Sequence, residues 1–186
     1  MSLELILGPM FAGKSSAILQ IVNRHNSIGH RVMIISHSID ERYSKNDFIV
    51  NHDGSKIPCH KTSVLEPYLI TEEFAECQLI IIEEGQFFKD LYSFVSKAVD
   101  TYNKNVIVVG LDGDADRKPF GQILELIPIC DKVQKLTAFC ATCADGTPGI
   151  FTYCKKEKSQ QVCVGGSDMY MPLCRKHFNL RTFMVE

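Results

Sequence analysis

The sequence predicts an α/β protein in which a doubly wound parallel sheet of the P-loop type, residues 1–138, is followed by a small zinc-binding lobe, residues 139–186. Three observations support this prediction. Apolar runs of strand length alternate with segments of helical spacing, which is the pattern of βαβ crossovers. A glycine-rich phosphate-binding sequence follows the first of these runs. Two Cys/His pairs then occur after residue 139, where the alternating pattern stops.

Composition and charge limit the functions that this chain can have. Its 186 residues suffice for one good-sized core with a small appendage, but not for two full domains. The residues are 45% hydrophobic and 23% charged with a net charge of −2, which argues against disorder, a basic nucleic-acid surface and a membrane-surface patch. No apolar run approaches the ~20 residues of a membrane span, and the N-terminus has the pattern of a strand rather than a leader. We therefore expect a soluble, cytoplasmic protein that acts on a small molecule, without nucleic-acid or membrane partners.

The strongest local motif is a phosphate-binding loop directly after the apolar run Leu3–Leu7. It matches G-x-x-x-x-G-K-[ST] and consists of Gly8, Pro9, Met10, Phe11, Ala12, Gly13, Lys14 and Ser15. The glycines let successive backbone N–H groups point at an anion, while Lys14 can reach the β- and γ-phosphates and Ser15 offers a hydroxyl to Mg²⁺. A helix is predicted to start here and adds its positive end. The alternative, a glycine turn with a chance Lys-Ser, leaves the order of strand, loop and helix unexplained.

The other elements of the first 138 residues follow from apolar periodicity and turn residues. After a helix that closes at Ile28–His30, we expect a strand at Arg31–Ser36, a long loop or irregular hairpin at His37–Pro58, a helix offset by Pro67 at Val64–Glu76, a strand at Gln78–Ile82, a helix at Phe87–Lys104, a strand at Asn105–Leu111, a loop at Asp112–Gly121, a short helix at Gln122–Ile127 and a strand at Lys132–Ala138. Five strands joined by crossovers make a doubly wound sheet. The loop at 112–121, with its glycines and cations, is expected to cover phosphates.

Two carboxylates, Glu83 and Glu84, end the most apolar predicted strand. Ligands of parallel sheets bind at the carboxyl ends of the strands, so these acids are expected beside the phosphate loop. One would hold Mg²⁺ or its water shell, and the other is free to act as a base. The alternative is a pair of solvated acids at a strand end.

The cysteine spacing predicts a structural zinc site. Cys140 and Cys143 form a C-x-x-C pair, and Cys174 and His177 form a C-x-x-H pair, which together give a Cys₃His ligand set. A redox function for the first pair is the competing interpretation, but it leaves Cys174 and His177 without a purpose. The other cysteines are interpreted as isolated thiols.

Between the two pairs, we expect a hairpin that joins Phe151–Tyr153 to Gln161–Val164 around the charged turn Lys155–Lys158.

These residues together resemble the cellular and viral type of thymidine kinase, an α/β kinase with a zinc lobe. The resemblance runs from Leu3 to Phe178 and rests on several blocks in one order, namely GPMFAGKS, DERY at Asp40–Tyr43, EEGQFF at Glu83–Phe88, LDGDADRKPFG at Leu111–Gly121, KLTAFCATC at Lys135–Cys143 and GGSDMYMPLCRKH at Gly165–His177. It implies transfer of the ATP γ-phosphate to the 5′-hydroxyl of thymidine. It also implies a homotetramer that is inhibited by thymidine triphosphate.

The resemblance assigns a role to each matching residue. Glu84 is the implied catalytic base, and Asp40 and Arg42 border the phosphates and the 5′-hydroxyl. The implied ATP and Mg²⁺ site consists of Gly8 to Ser15, Asp40, Glu41, Arg42, Glu83, Gly85 and Gln86. The implied nucleoside site consists of Met10, Phe87, Leu111, Ala115, Phe120, Thr152, Gln161, Val162, Cys163, Val164, Gly165 and Tyr170. Within it, Gln161–Gly165 form a lasso loop whose backbone groups read the base, so side chains there are expected to matter little for base preference.

Three positions depart from the family pattern. Glu83 stands where Asp is usual, which lengthens the reach to Mg²⁺ by one methylene. His177 stands where a fourth Cys is common, which keeps a zinc site but changes its charge. Ala115 stands where an aromatic residue is frequent. Other functions left open are a P-loop ATPase or GTPase, a kinase of another deoxynucleoside, and a zinc-ribbon module for nucleic acid, which the acidic net charge disfavours.

Overall fold

The computed structural model of the protein describes residues 1–39, 48–50, 56–156, 161 and 165–183. The predicted site residues Asp40, Glu41, Arg42, Val162, Cys163 and Val164 lie outside the described residues. In chain order, the strands and α-helices of the described part are β1 Ser2–Leu7, α1 Lys14–Asn26, β2 Val32–His37, β3 Phe48–Val50, β4 Lys56–Pro58, β5 His60–Thr62, α2 Glu72–Glu76, β6 Leu79–Glu83, α3 Leu91–Ser96, β7 Asn105–Gly110, β8 Lys132–Lys135, β9 Ala138–Phe139, β10 Pro148–Gly149, β11 Phe151–Cys154, β12 Tyr170–Leu173 and α4 Arg175–Phe183.

A parallel sheet of six strands forms the centre of the molecule, in the order β5-β2-β6-β7-β1-β8. The predicted doubly wound parallel sheet is confirmed, but the prediction of five strands is wrong by one. The additional strand, β5, is only three residues long and lies at the edge of the sheet. Just before it, β3 and β4 pair antiparallel within the segment predicted as a loop or irregular hairpin.

Apolar side chains cover both faces of the sheet. On one face, Leu5 of β1 and Ile80 of β6 belong to the same buried cluster as Phe94 of α3. On the other face, Ile6 and Ile81 pack in a second cluster with Ile18 of α1. Because neighbouring residues of a strand point to opposite faces, strands covered on both sides have continuous apolar sequences. This burial explains why β1, β6 and β7 could be recognised from the sequence.

The helices differ from the predicted ones mainly at their ends. The segment predicted as one helix around Pro67 is a 3₁₀ turn, Glu66–Ile70, followed by α2. Pro128 was expected to follow a short helix, but it lies inside the 3₁₀ helix Ile123–Ile129. A short 3₁₀ segment accepts proline because few of its N–H groups are needed as donors. Among the described residues, no helix is both long and apolar enough to cross a membrane.

The described residues after β8 form a small lobe of two antiparallel strand pairs and a helix, which we call the Cys/His lobe (β9–β12 and α4). In this lobe β9 pairs with β10 and β11 pairs with β12. The predicted partner of Phe151–Tyr153, Gln161–Val164, lies outside the described residues except for Gln161. In the described part of the chain, the strand that pairs with β11 is Tyr170–Leu173. This pairing buries Leu173 with Cys140 and Phe178 in the lobe's own core, and it places Cys174 next to the first cysteine pair.

Candidate active site and metal centre

The phosphate loop follows β1 at the carboxyl edge of the sheet. Gly8 has φ +155°, and a Cβ atom there would lie 2.6 Å from the carbonyl oxygen of Leu136. Gly13, with φ +78°, precedes the first residue of α1, Lys14. Position 8 needs glycine because of this close packing, and position 13 needs it because of the left-handed conformation. The predicted order of strand, loop and helix is present.

The two polar side chains of the loop make contacts that fit phosphate and metal binding. The Lys14 ammonium donates hydrogen bonds to the carbonyl oxygens of Gly8, at 3.1 Å, and Pro9, at 2.8 Å. It therefore lies over the loop that would hold the phosphates. The Ser15 hydroxyl donates to Glu83 Oε1 at 3.1 Å, which joins the loop to the end of β6. A hydroxyl paired with a strand-end carboxylate is the arrangement that holds Mg²⁺ in P-loop proteins.

Glu83 is held from a second side by residues that the sequence analysis did not select. Its carboxylate is buried, and Oε2 accepts a hydrogen bond from the hydroxyl of Ser36 at 3.2 Å. The Lys61 ammonium, on β5, donates to the same hydroxyl at 3.0 Å. Ser36 lies near the carboxyl end of β2, which was the available signal, whereas the position of Lys61 depends on a strand that the sequence did not predict.

Glu84 lies one residue beyond β6 with a left-handed backbone, φ 55°. Its carboxylate accepts a hydrogen bond from the side-chain amide of Gln86. Gln86 is buried, and its Oε1 accepts from the backbone N–H of Leu111 at 3.0 Å. Gly85 between them packs on β7, because a Cβ there would approach Val108 Cγ1 to 2.7 Å. Glu84 is thus anchored to the end of β7 beside the phosphate loop.

Several residues assigned to the nucleoside site lie close together. The rings of Phe87 and Phe120 pack edge to face with centroids 5.3 Å apart. The backbone N–H of Met10, in the phosphate loop, donates to Thr152 Oγ1 at 3.0 Å, which joins the Cys/His lobe to the sheet domain. These contacts bring together residues that are distant in the sequence.

The environments of four other residues assigned to the nucleoside site are as follows. Ala115 is half-buried in the loop after β7. Tyr170 is buried on β12 opposite Cys154. Gly165 lies so close to Met169 that a Cβ would be 2.4 Å from its sulfur atom. The side chain of Gln161 donates hydrogen bonds to the loop after β7, to Asp114 and to the carbonyl oxygen of Pro119.

His37, the last residue of β2, packs against this group and was not selected from the sequence. Its buried ring lies 5.6 Å from the ring of Phe87 and 4.8 Å from that of Phe88. Its Nδ1 accepts a hydrogen bond from the backbone N–H of Ile39 at 3.0 Å, which requires that this nitrogen is unprotonated. Burial lowers the pKa of His37, Asp90 opposes this shift, and Lys61 adds to it.

Acid should therefore destabilise the fold through His37. Because its pKa is lowered in the folded state, the unfolded chain takes up a proton first as the pH falls below 6.5. The free energy of unfolding should be independent of this residue above that pH, fall below it, and level off below the folded-state pKa. Urea unfolding of the wild type and His37→Gln across this range measures the effect as a difference in pH slope. Equal slopes in the two proteins would contradict it.

The predicted zinc ligands form a cluster in the Cys/His lobe. The ligand atoms of Cys140, Cys143, Cys174 and His177 all lie within 4.8 Å of one another. Cys143 Sγ lies 3.9 Å from Cys174 Sγ, and His177 Nδ1 lies 3.6, 3.3 and 3.4 Å from the sulfur atoms of Cys140, Cys143 and Cys174. A tetrahedral ion with Zn–S bonds of about 2.3 Å spaces its sulfur ligands by about 3.8 Å. The donor set and its spacing therefore fit zinc.

The pKa shifts of two thiols in the cluster also favour the binding of a cation. Burial opposes ionisation of Cys140, but hydrogen bonds from the backbone N–H groups of Cys174, Cys143 and Thr142 lower the pKa of its thiol to about 6. Desolvation and the neighbouring Cys140 raise the pKa of the Cys143 thiol to about 11. One thiolate thus disfavours the next, and a bound dication would relieve this conflict.

A parallel sheet with a phosphate loop whose serine contacts a strand-end glutamate defines a P-loop protein, here with an added Cys/His lobe. Comparison with known proteins identifies the family. The thymidine kinase family model matches residues 1–178. The chain is 43% identical over 188 residues to a thymidine kinase of Oryza sativa subsp. japonica, covering 99% of this chain and 68% of that protein. It is 42% identical to thymidine kinase a of Arabidopsis thaliana, covering 100% and 78%, and 37% identical to a thymidine kinase of Choristoneura fumiferana entomopoxvirus, covering 96% and 97%. The chain belongs to the thymidine kinase family.

Proposed function

We propose that this protein transfers the γ-phosphate of ATP to the 5′-hydroxyl of thymidine, and that Glu84 is the base that accepts the hydroxyl proton. The family supports the reaction. The observation that carries the assignment of Glu84 is its position next to Glu83, whose carboxylate contacts Ser15 of the phosphate loop. The Glu84 carboxylate would therefore lie close to the phosphates, while the Ser15 hydroxyl of the loop donates to Glu83.

The phosphate loop and Glu83 would hold the donor nucleotide. The N–H groups at the start of α1 face the phosphates, and Lys14 would contact the β- and γ-oxygens. Ser15 and Glu83 would hold Mg²⁺, which when bound neutralises charge on the phosphates. The hydrogen bond from Ser36 fixes the Glu83 carboxylate, so the longer side chain at this position is already positioned before ATP binds.

The acceptor nucleoside would bind between the aromatic pair and the Cys/His lobe. Phe87, whose ring packs on the buried Phe120, offers a ring surface for the thymine, while Thr152 ties the lobe to Met10. Gln86 orients Glu84 through the hydrogen bond that it donates. We also propose, on family resemblance alone, a cytoplasmic homotetramer that thymidine triphosphate inhibits.

The metal of the Cys/His lobe is proposed to be structural zinc. Four protein ligands leave no open position for water, so the ion would stabilise the lobe and take no part in phosphoryl transfer.

Thymidine should be strongly preferred over deoxycytidine. Cytosine presents an acceptor at N3 and an amine at position 4, so two polar pairs would be mismatched in a site closed to water. Each buried unsatisfied group costs ~1–3 kcal/mol, which predicts a roughly 10²–10⁴-fold lower kcat/KM for deoxycytidine. If backbone groups read the base, the ratio of kcat/KM for thymidine to kcat/KM for deoxycytidine should stay within about threefold of the wild-type ratio in Gln161→Ala. This is well below the tenfold change that 1.4 kcal/mol represents.

The test is phosphate transfer from ATP to each of the four deoxynucleosides, with ATP hydrolysis in the absence of nucleoside as the control. Comparable rates for deoxycytidine would show a broader deoxynucleoside kinase. Rapid hydrolysis without any nucleoside would show an ATPase.

A further inference from the structure

We propose that Asp114 is a positioning residue for nucleoside binding and that it acts through its hydrogen bond with Gln161. This inference rests on the proposed function, because it concerns the same nucleoside site. Asp114 lies in the loop after β7, 47 positions before Gln161 in the chain, and the Gln161 amide donates to Asp114 Oδ2 at 2.7 Å.

Asp114 organises the loop in which it lies. The residue is only 6% exposed, and Oδ1 accepts hydrogen bonds from the backbone N–H groups of Asp116, at 2.8 Å, and Lys118, at 2.9 Å. Its own backbone N–H donates to the carbonyl oxygen of Lys118 at 3.0 Å. A buried carboxylate must be satisfied by donors, and among the described residues Oδ1 accepts from the loop while Oδ2 accepts from Gln161.

The loop connects this carboxylate to the aromatic pair. Phe120, at the end of the loop, packs on Phe87. The next residue, Gly121, lies so close to Gln86 that a Cβ would be 2.0 Å from its carbonyl oxygen. At the start of the loop, the N–H of Leu111 donates to the Gln86 side chain. Both ends of the loop are thus held by the sheet domain. A displacement of Asp114 would therefore move the segment that carries Phe120.

Gln161 supplies the connection from the other side. Its amide also lies 3.4 Å from the carbonyl oxygen of Pro119, so both of its contacts are to acceptors of this loop. Arg117 in the same loop contacts the Cys/His lobe independently, with its guanidinium 4.7 Å from the ring of Phe178 and 3.2 Å from Asn179 Oδ1. The loop is therefore held against the lobe at two points, and the Gln161 contact is the one beside Phe120.

The chemistry of the pair allows a specific test. In Gln161→Glu an acceptor would replace the donor and face both Asp114 and the carbonyl of Pro119, so the contact becomes repulsive. Asp114→Asn alone should have a small effect, because Gln161 can rotate its amide and accept from the new side chain. In the double variant the Asn amide can donate to the Glu carboxylate, so the contact between the two side chains is restored with the charge exchanged, and only the longer 3.4 Å contact with Pro119 stays without a donor.

The experiment measures KM for thymidine, KM for ATP and kcat in the purified full-length variants. We expect Gln161→Glu to raise KM for thymidine by about tenfold or more, with KM for ATP changed by less than about twofold. Adding Asp114→Asn should bring KM for thymidine back to within about threefold of the wild type. The matched control adds Asp116→Asn instead, which removes the same charge from an exposed residue of the same loop and should not rescue.

Three results would overturn the proposal. These are an unchanged KM for thymidine in Gln161→Glu, an equal rescue by Asp116→Asn, and no rescue by Asp114→Asn. Thermal melting identifies variants that have merely lost stability. Such variants would raise both KM values or lower kcat, instead of raising KM for thymidine alone. A wild type that phosphorylates no thymidine would instead contradict the proposed function, so the two failures are distinguishable.

Discussion

Replacing Glu84 with glutamine is expected to lower kcat by about 10²–10⁴-fold with little change in the affinity for ATP. Glutamine keeps the size of the side chain but cannot accept the proton of the 5′-hydroxyl. Among the described residues, Lys14 and Ser15 of the phosphate loop hydrogen-bond to Gly8, Pro9 and Glu83. The loss should therefore appear in turnover and not in nucleotide binding.

The measurement is steady-state kinetics with thymidine and ATP, together with ATP binding to each variant. Glu83→Gln is the matched control, since it removes the same charge one residue away. It takes a carboxylate from the Ser15 and Ser36 hydroxyls, and it should raise the Mg²⁺ concentration needed for activity. Near-normal turnover in Glu84→Gln would transfer the role of base to Glu83 or Asp40.

The parts of the fold that the sequence predicted correctly are those with long local patterns. The apolar runs of β6 and β7 are buried on both faces and could be recognised without any partner strand. By contrast β5 has three residues, His60–Thr62, all half-buried, so neither alternation nor an apolar run marks it. Its place in the sheet depends on pairing with β2, which is a tertiary contact.

The same distinction applies to the site. The phosphate loop and the Cys/His pairs have fixed spacings and were found directly. Ser36, His37 and Lys61 act through contacts with other elements of the fold, and no sequence spacing relates them to their partners. The pairing of Tyr170–Leu173 with β11 also has no local sequence signal, because it depends on core packing and cysteine placement.

Gln161 shows a further limit of prediction by resemblance. The lasso assignment treats its side chain as unimportant for base preference, and that prediction stays untested. The structure nevertheless gives the side chain a partner, Asp114, that no motif connects to it. Base preference and nucleoside affinity are different quantities, so the backbone can determine the first while this pair affects the second.

Removing the metal is expected to unfold the Cys/His lobe before it affects chemistry at the phosphate loop. The buried core of the lobe contains Cys140, Leu173 and Phe178, too few apolar side chains to offset the entropy of ordering its strands. A structural zinc contributes ~10–16 kcal/mol of binding free energy in small zinc domains, which would far exceed what this core supplies. Loss of the lobe removes the contacts of Thr152 with Met10 and of Arg117 with Phe178, so thymidine binding should fail before ATP binding.

The experiment combines metal analysis, chelation and a ligand substitution. Fresh protein should contain about one equivalent of zinc per chain. Cys143→Ser should lose the metal and become sensitive to proteolysis within the lobe, because Cys143 Sγ lies 3.9 Å from Cys174 Sγ and 3.3 Å from His177 Nδ1. Cys130→Ser is the matched control, since this thiol lies outside the cluster and donates to the carbonyl oxygen of Ile127, and it should keep both metal and activity. Less than about half an equivalent of zinc in active protein would refute the structural role, because a four-ligand site that stabilises the lobe must be filled in every folded chain.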